Sequence, residues 1–208
     1  MPKRVDQAER RDAVAAVAEQ VIADRGLGAG LRDVAVAGGW STSVVTHYFT
    51  DKRDLLEFTL RRTIEGAAAR IETQVGAGRT RLAAILEENL PLDSRRRRQW
   101  RLFIAFWGRA VHDPTLAAHQ RRRHAAFRSA LADALTEAWG ADVPHDAECE
   151  ARRLFALLDG LAVQAAFEPG EWSADLQVDL VNRHLAGLGL PPILEVPRPA
   201  PSAVGSDS

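Results

Sequence analysis

LRDVAVAGGWSTSVVTHYFTDK, residues 31–52, contains two short helical segments separated by a glycine turn. Apolar residues at helical spacing predict a first helix over 31–37, and Gly38-Gly39 ends it, because glycine tolerates the left-handed backbone common at helix C-termini. Ser41 is a favourable N-cap, since its hydroxyl can accept a hydrogen bond from a free backbone N–H. The pattern therefore predicts a second helix over 42–48.

Neither of these helices is long enough to be stable alone, so both must pack against neighbouring elements. The face that the second helix leaves free carries small or polar side chains: Thr42, Ser43, Thr46, His47 and Tyr48. Two short helices joined by a tight turn, with a polar face on the second, are typical of a helix-turn-helix that presents its second helix to a DNA major groove.

The segment STSVVTHYFTDKRDLL resembles the recognition-helix region of the TetR family of bacterial repressors, and most closely its choline-responsive branch. WRLFIAFWGRAVHDPTLAAHQ and LLDGLAVQAAF resemble later helices of the same branch, so the similarity covers most of residues 8–188. Trp40 departs from the family pattern, which usually has valine there, and Ser43 stands where glycine or alanine is common.

Composition favours an all-α protein. The chain has 208 residues, 46% of them apolar, with few β-branched runs and no sustained alternation. Residues 1–62 contain 10 Lys and Arg against 9 Asp and Glu, so any DNA contact depends on individual residues rather than on a basic field.

The sequence offers no feature of an exported, membrane or catalytic protein. The single cysteine, Cys149, excludes an internal disulfide, the charged N-terminus does not resemble a signal peptide, and no run of 18 apolar residues is present. No metal-ligand spacing, nucleophile motif or cofactor fingerprint is present either. We expect a cytoplasmic protein without catalytic residues, metal or cofactor.

The helical pattern predicts about nine helices in three parts. Residues 1–53 are expected to form a three-helix DNA-binding domain and 54–190 a helical ligand-binding and dimerisation domain. Residues 191–208, rich in proline and serine, are expected to be a flexible tail, either disordered or loosely laid on the surface. Gly26–Gly30 is predicted to be a loop. The expected helices, in chain order, are 6–25, 31–37, 42–48, 52–75, 80–89, 94–111, 114–139, 146–167 and 173–188.

Candidate DNA-binding residues follow from the resemblance. Thr42 and Thr46 are expected near base edges, and His47, Tyr48 and Lys52 near phosphates. Ser43 is expected to belong to the same DNA-binding set. Tyr48 could instead be a core aromatic, and Lys52 could simply be solvated. Arg95–Arg98 is expected to be a solvated helix end, with a second DNA patch as the alternative.

Candidate ligand-binding residues are the aromatic side chains Trp100, Phe103, Trp107 and Phe127. A core role is an equally good interpretation of these rings, whereas aromatic walls would suit a quaternary amine or another hydrophobic compound. Asp159 lies in an apolar helix and must have a partner, either a helix end, an arginine across a dimer interface or a cationic ligand.

Helices 8 and 9 are expected to pair with those of a second copy in a four-helix bundle. The candidate interface residues are Leu154, Leu158, Leu161, Leu180 and Leu185. The resemblance implies a homodimeric repressor that binds a near-palindromic double-stranded operator and is released by a small-molecule inducer. A helical enzyme or an interaction protein without DNA affinity remains the alternative.

Overall fold

The computed structural model describes residues 2–140 and 146–196, with side chains from residue 7 onward. Within these residues the chain forms nine α-helices and no strand, which confirms the predicted fold class. The helices are α1 Pro2–Arg25, α2 Leu31–Ala37, α3 Thr42–Tyr48, α4 Lys52–Gly76, α5 Arg81–Glu88, α6 Ser94–Ala110, α7 Pro114–Trp139, α8 Ala147–Phe167 and α9 Ala174–Gly187. The predicted loop after α1 begins with a short 3₁₀ turn, Gly26–Gly28.

Side-chain N-caps explain where most of these helices begin. The side chain of the residue before each of α4, α5, α6, α7, α8 and α9 accepts a hydrogen bond from a backbone N–H of the first turn. These residues are Asp51, Thr80, Asp93, Asp113, Asp146 and Ser173. Helix α1 begins at Pro2 rather than at the predicted residue 6.

Two apolar cores organise the helices. The first joins α1, α2, α3 and the beginning of α4, and it also includes Leu102, Phe103 and Phe106 of α6. The second joins α5, α7, α8 and α9. The first core thus extends across the boundary predicted at residue 53, because α6 packs against the N-terminal helices.

The segment after α9 is held against it. The Asn182 side chain accepts hydrogen bonds from the backbone N–H groups of Ile193 and Leu194, both at 3.2 Å, and donates to the Leu194 carbonyl at 3.0 Å. Leu194 is also buried in the second core. Residues 191–196 are therefore anchored, contrary to the prediction of a flexible tail, and the rest of the predicted tail lies outside the described residues.

Candidate nucleic-acid interface and ligand cavity

Helix α3 is fixed by one apolar face and leaves the other free. Val45 and Phe49 have no exposed surface and belong to the N-terminal core. On the opposite side, Thr42, Ser43, Thr46 and His47 are exposed. Tyr48 is half-buried, with its ring packed edge-on against His47 at 4.9 Å between centroids. The two interpretations of Tyr48 are therefore compatible, because its ring packs while part of it stays accessible.

The turn before α3 differs from the prediction at Ser41. Ser41 occupies the N-cap position, yet its hydroxyl lies 2.8 Å from that of Ser43 rather than capping a backbone N–H. Gly39 has φ +68°, as expected for the residue that ends α2. The Trp40 ring lies over Gly38, where a Cβ would come within 3.0 Å of three ring atoms. The unusual tryptophan is therefore accommodated by the neighbouring glycine.

Lys52, at the start of α4, is bound within the protein. Its ammonium donates hydrogen bonds to the carbonyls of Leu27 and Gly28, the latter at 3.2 Å. These carbonyls offset the cost of placing a cation at the positive end of a helix. Lys52 therefore ties α4 to the turn after α1, and its interpretation as a merely solvated lysine is wrong.

A cavity of about 220 Å³ lies between α4, α6, α7 and α8. Trp100, Phe103, Trp107 and Phe127 all border it, so the structure brings the four predicted aromatic residues together. Trp100 and Phe103 are also buried in the first core, so the core and cavity interpretations of these two rings both hold. Edge-to-face contacts continue the aromatic wall from Trp107 through His124 to Phe155, with 6.1 and 5.0 Å between centroids.

Polar groups without partners face this apolar cavity. Asp159 of α8 borders it, and its buried Oδ1 has no hydrogen-bond partner among the described residues. Burial raises the pKa of Asp159 to about 7, although the positive charge of Arg123 opposes the shift. The buried indole N–H of Trp107 likewise has no partner in the part of the chain that the structure describes. The structure thus supplies no helix end as the expected partner of Asp159.

Two basic side chains of α7 complete the cavity wall. Burial lowers the pKa of Arg123 to about 10, against the attraction of Asp159. The pKa of His124 is lowered by its burial and by Arg123 and Arg128. Arg123 therefore carries a positive charge at neutral pH, and His124 is mostly neutral. These two residues, with Asp159, are the ionisable groups that border the cavity.

A buried ionic network joins α4 to α5 and α6 beside the cavity. Glu88, only 1% exposed, pairs with Arg70 of α4 and with Arg95 of α6. Arg70 also donates to Gln99, which borders the cavity. Arg96 pairs with Glu87 and Asp93. Arg95 and Arg96 are therefore part of an internal network, and the prediction of a solvated helix end is wrong for these two arginines.

Four of the five candidate dimer residues lie inside the subunit. Leu154, Leu158, Leu161 and Leu185 are at most 4% exposed and pack in the second core. They cannot contact a partner, so their assignment to the interface is wrong; only Leu180 is half-exposed. The accessible apolar face of α8 and α9 consists of other residues: Ala156, Leu157, Gly160, Val163, Phe167, Leu176 and Leu180.

Several residues of the cavity lie outside the predicted set. Arg123 ends the run Arg121–Arg123, and the other two arginines are exposed, so nothing in the run distinguishes it. Asp159 was recognisable as a carboxylate in an apolar helix. His124 and Phe155 could have been assigned to the cavity only from the packing of α7 against α8.

The described part of the chain contains no group of three or more His, Cys, Asp or Glu side chains arranged to hold a metal ion. None of the helices that the structure describes combines the length and apolarity needed to cross a bilayer. His145, four residues before Cys149 in the sequence, lies outside the described residues.

The known proteins that this chain resembles are transcriptional regulators. Residues 78–190 match the C-terminal domain of BetI-type transcriptional repressors. The chain is 32% identical to the transcriptional regulator BetI of Burkholderia thailandensis, over 89% of this chain and 96% of that protein. A transcriptional regulator from Rhodococcus sp. is 30% identical, with a TM-score of 0.75 over 86% of this chain and 95% of its own. A regulator from Saccharomonospora viridis, solved with choline, is 25% identical, with a TM-score of 0.78 over 86% and 96%.

Proposed function

We propose a mechanism of repression from the premise that this chain belongs to the TetR family of transcriptional regulators, with the C-terminal domain of the BetI-type repressors. In this mechanism a cytoplasmic homodimer inserts its two α3 helices into successive major grooves of a near-palindromic operator, ~34–36 Å apart. A small molecule that enters the cavity changes the position of α4 and releases the DNA. The relatives are regulators rather than enzymes.

The course of α4 is the observation that carries this proposal. Its first turns contribute Leu55 and Leu56 to the same core that holds α3. Two turns later, Ile64, Ala67 and Ile71 of the same helix border the cavity. Because a helix is stiff over this length, a ligand that displaces the middle of α4 also displaces its N-terminal end and the attached α3.

The exposed face of α3 supports the assignment of the DNA contacts. Thr42, Ser43 and Thr46 would face base edges, and His47 and Tyr48 would contact phosphates. In the free protein the Thr46 hydroxyl donates to the carbonyls of Thr42 and Ser43 at 3.1 and 3.3 Å. It must therefore reorient or act as an acceptor to contact a base.

Lys52 has a double role in this proposal. Two hydrogens of its ammonium are used by the Leu27 and Gly28 carbonyls, which leaves one for a phosphate. Its substitution should weaken binding to every DNA sequence alike, because it holds α4 and contacts no base.

The proposed dimer uses the accessible apolar face of α8 and α9. Ala156 and Gly160, four residues apart and exposed, would let two α8 helices approach closely. Phe167, 75% exposed, would be covered at the end of this face. Burying these residues would stabilise the dimer, because it removes apolar surface from water.

The chemistry of the cavity favours a cationic inducer with apolar substituents. Aromatic faces attract quaternary ammonium groups, and the unpaired Asp159 offers an anion. The choline present in the Saccharomonospora viridis regulator makes choline the first compound to test.

Selection from random duplex DNA tests the proposal. The wild-type protein should enrich a near-palindromic sequence, and its affinity should fall steeply with salt concentration. Thr46→Val should change the enriched base pairs, whereas Tyr48→Ala should weaken all sequences. Enrichment of no sequence would contradict the assignment, and it would favour an interaction protein without DNA affinity.

Release of the selected operator by ligand forms the second part of the test. Choline and other small amines should lower the affinity for the operator, and a tenfold decrease requires about 1.4 kcal/mol of preference for the released form. Trp107→Ala should raise the concentration needed for release. An equal response of Trp107→Ala and wild type would place the ligand outside this cavity.

A further inference from the structure

The charges of the cavity are not paired with each other. No carboxylate oxygen of the described residues lies within 4.0 Å of the Arg123 guanidinium nitrogens, so Asp159 and Arg123 form no ion pair. Both nevertheless border the same cavity, and each acts electrostatically on the other. A gap therefore separates an anion from a cation inside an apolar chamber.

The contacts of Arg123 leave most of its hydrogen-bonding capacity unused. Its guanidinium carbon lies 4.2 Å from the Phe103 ring centroid, a favourable contact that provides no in-plane acceptor. Among the described residues, the Arg123 guanidinium makes one hydrogen bond, to the Gln120 side chain, and it is long at 3.5 Å. A guanidinium has five N–H donors in a planar fork that fits a carboxylate. The side chain is thus suited to an acidic group that the described residues do not supply.

Asp159 presents the complementary deficit. It makes no hydrogen bond to any described residue, and its Oδ1 is buried. The rings of Trp107, Phe127 and Phe155 border the same chamber, and Phe155 lies one helical turn before Asp159 on α8. A cation with methyl groups fits this end, because its charge meets the carboxylate while its apolar surface meets the rings.

Charge balance then decides between classes of ligand. A ligand that is only a cation would leave Arg123 unpaired and add a second positive charge near it. A ligand that is only an anion would leave Asp159 unpaired. Arg123 stays charged and Asp159 can ionise near neutral pH, so a ligand with both charges pairs with both side chains and is favoured over a ligand with either charge alone.

We propose that the cavity recognises a zwitterion, with an alkylated or protonated amine at Asp159 and a carboxylate at Arg123. This inference rests on the proposed inducer site, and it names the class of compound that the site takes. The two charges must be separated by enough methylene groups to span the gap between the two side chains. Choline itself meets only the Asp159 half of this site.

A series of matched compounds tests the proposal on the wild-type protein. The probes are trimethylammonio carboxylates with one to four methylene groups between the charges. For each length, the methyl ester removes the negative charge, and the carbon isostere with a tert-butyl group removes the positive charge. Affinities can be measured by calorimetry and by quenching of tryptophan fluorescence, since Trp100 and Trp107 border the cavity.

One chain length should bind at least tenfold more tightly than its own methyl ester and its own carbon isostere. Arg123→Gln should abolish the advantage over the ester, and Asp159→Asn should abolish the advantage over the isostere. Arg122→Gln, which alters an exposed neighbour, is the matched control and should change neither ratio. Circular dichroism and thermal unfolding check that each variant is folded.

The outcomes distinguish this inference from the proposed function. If the esters or choline bind as tightly as the zwitterions, or if no zwitterion binds, the inference is wrong. The proposed function survives that result when choline or another cation still releases the operator. If no compound that binds the cavity alters operator affinity, the proposed function itself fails.

Discussion

Glu88 of α5 accepts two hydrogen bonds from Arg70 of α4, of 3.0 and 2.7 Å from the guanidinium Nε and Nη2 atoms. Burial opposes the ionisation of Glu88, but the hydrogen bonds from Arg95 and Arg70 outweigh it, so the pKa of Glu88 lies below its usual range. The pair fastens the middle of α4 to α5, and Arg95 links the same carboxylate to α6 beside the cavity. Movement of α4 driven by a ligand would therefore meet resistance at Glu88.

Glu88→Gln should lower the free energy of unfolding by about 3 kcal/mol at pH 7, because it removes the buried anion that pairs with Arg70 and Arg95. This loss is at the lower end of the range for removing one partner of a buried ion pair, because Arg70 and Arg95 are 38% and 35% exposed and can be hydrated instead. Because the folded-state pKa is depressed, the difference from wild type should shrink as the pH falls through that pKa. Urea denaturation at several pH values measures both effects.

Glu72→Gln is the matched control for Glu88→Gln. Glu72 and Arg81 also join α4 to α5, at 2.7 Å, but Glu72 is 63% exposed. Water replaces such a pair at little cost, so the stability of this variant should stay close to wild type. Equal losses in the two variants would show that burial does not determine the strength of the α4–α5 connection.

Gly38 and Trp40 should be coupled energetically. Gly38→Ala should destabilise the wild type by ~1–3 kcal/mol and weaken operator binding, because the new methyl group overlaps the Trp40 ring. The backbone of Gly38, with φ −84° and ψ −3°, is acceptable for alanine. In a Trp40→Val background the same change should therefore be neutral or stabilising by up to ~1 kcal/mol. Unfolding of all four proteins gives the coupling, and an equal loss in both backgrounds would exclude the ring as its cause.

The dimer face can be tested at Gly160 of α8. Gly160 is exposed, and a Cβ at this position has no neighbour within 4 Å beyond the adjacent backbone of α8 among the described residues, so Gly160→Arg should leave the fold intact. It should place a charge in the proposed interface, produce monomers in sedimentation experiments and abolish tight operator binding. Gly108→Arg, at an exposed glycine of α6 that is equally free of neighbours, should remain dimeric. If the Gly160→Arg protein remains dimeric, the interface lies on another surface.

Local chemistry made the helices predictable. Acidic and hydroxyl N-caps, glycine stops and the 3.6-residue period place eight of the nine helices within about a residue of their observed bounds. The turn at Gly38-Gly39 and the exposed face of α3 follow from the same rules. These features depend on residues a few positions apart, so the sequence contains the information directly.

Packing between distant segments was not predictable in the same way. Helix α8 is apolar on nearly every side, and its pattern cannot distinguish surface buried within the subunit from surface buried by a partner. Leu158 was therefore assigned to the dimer although it lies in the core. Likewise, only the packing of α7 directs Arg123 inward while Arg122 stays exposed.

The affinity of the cavity for a cation should depend on pH through Asp159. With its pKa raised to about 7, the carboxyl group is partly protonated at neutral pH and cannot fully attract a cation. The affinity for choline should therefore rise from pH 6 to pH 8 and stay constant above pH 8. Below pH 7 the affinity should decrease, approaching a tenfold loss for each pH unit. Asp159→Asn should remove this dependence, as measured by calorimetry in buffers of equal ionic strength.

The other ionisable groups around the cavity do not give this profile. Arg123, with a pKa of about 10, stays charged over the whole range. The pKa of His124 is lowered by its burial and by Arg123 and Arg128, so it moves away from the raised pKa of Asp159. A residual decrease at the acid end in Asp159→Asn would belong to His124, because its imidazolium would repel the cation. A wild-type affinity that is constant between pH 6 and pH 8 would mean that Asp159 does not contact the cationic group, and both the cation site and the zwitterion assignment would then be wrong.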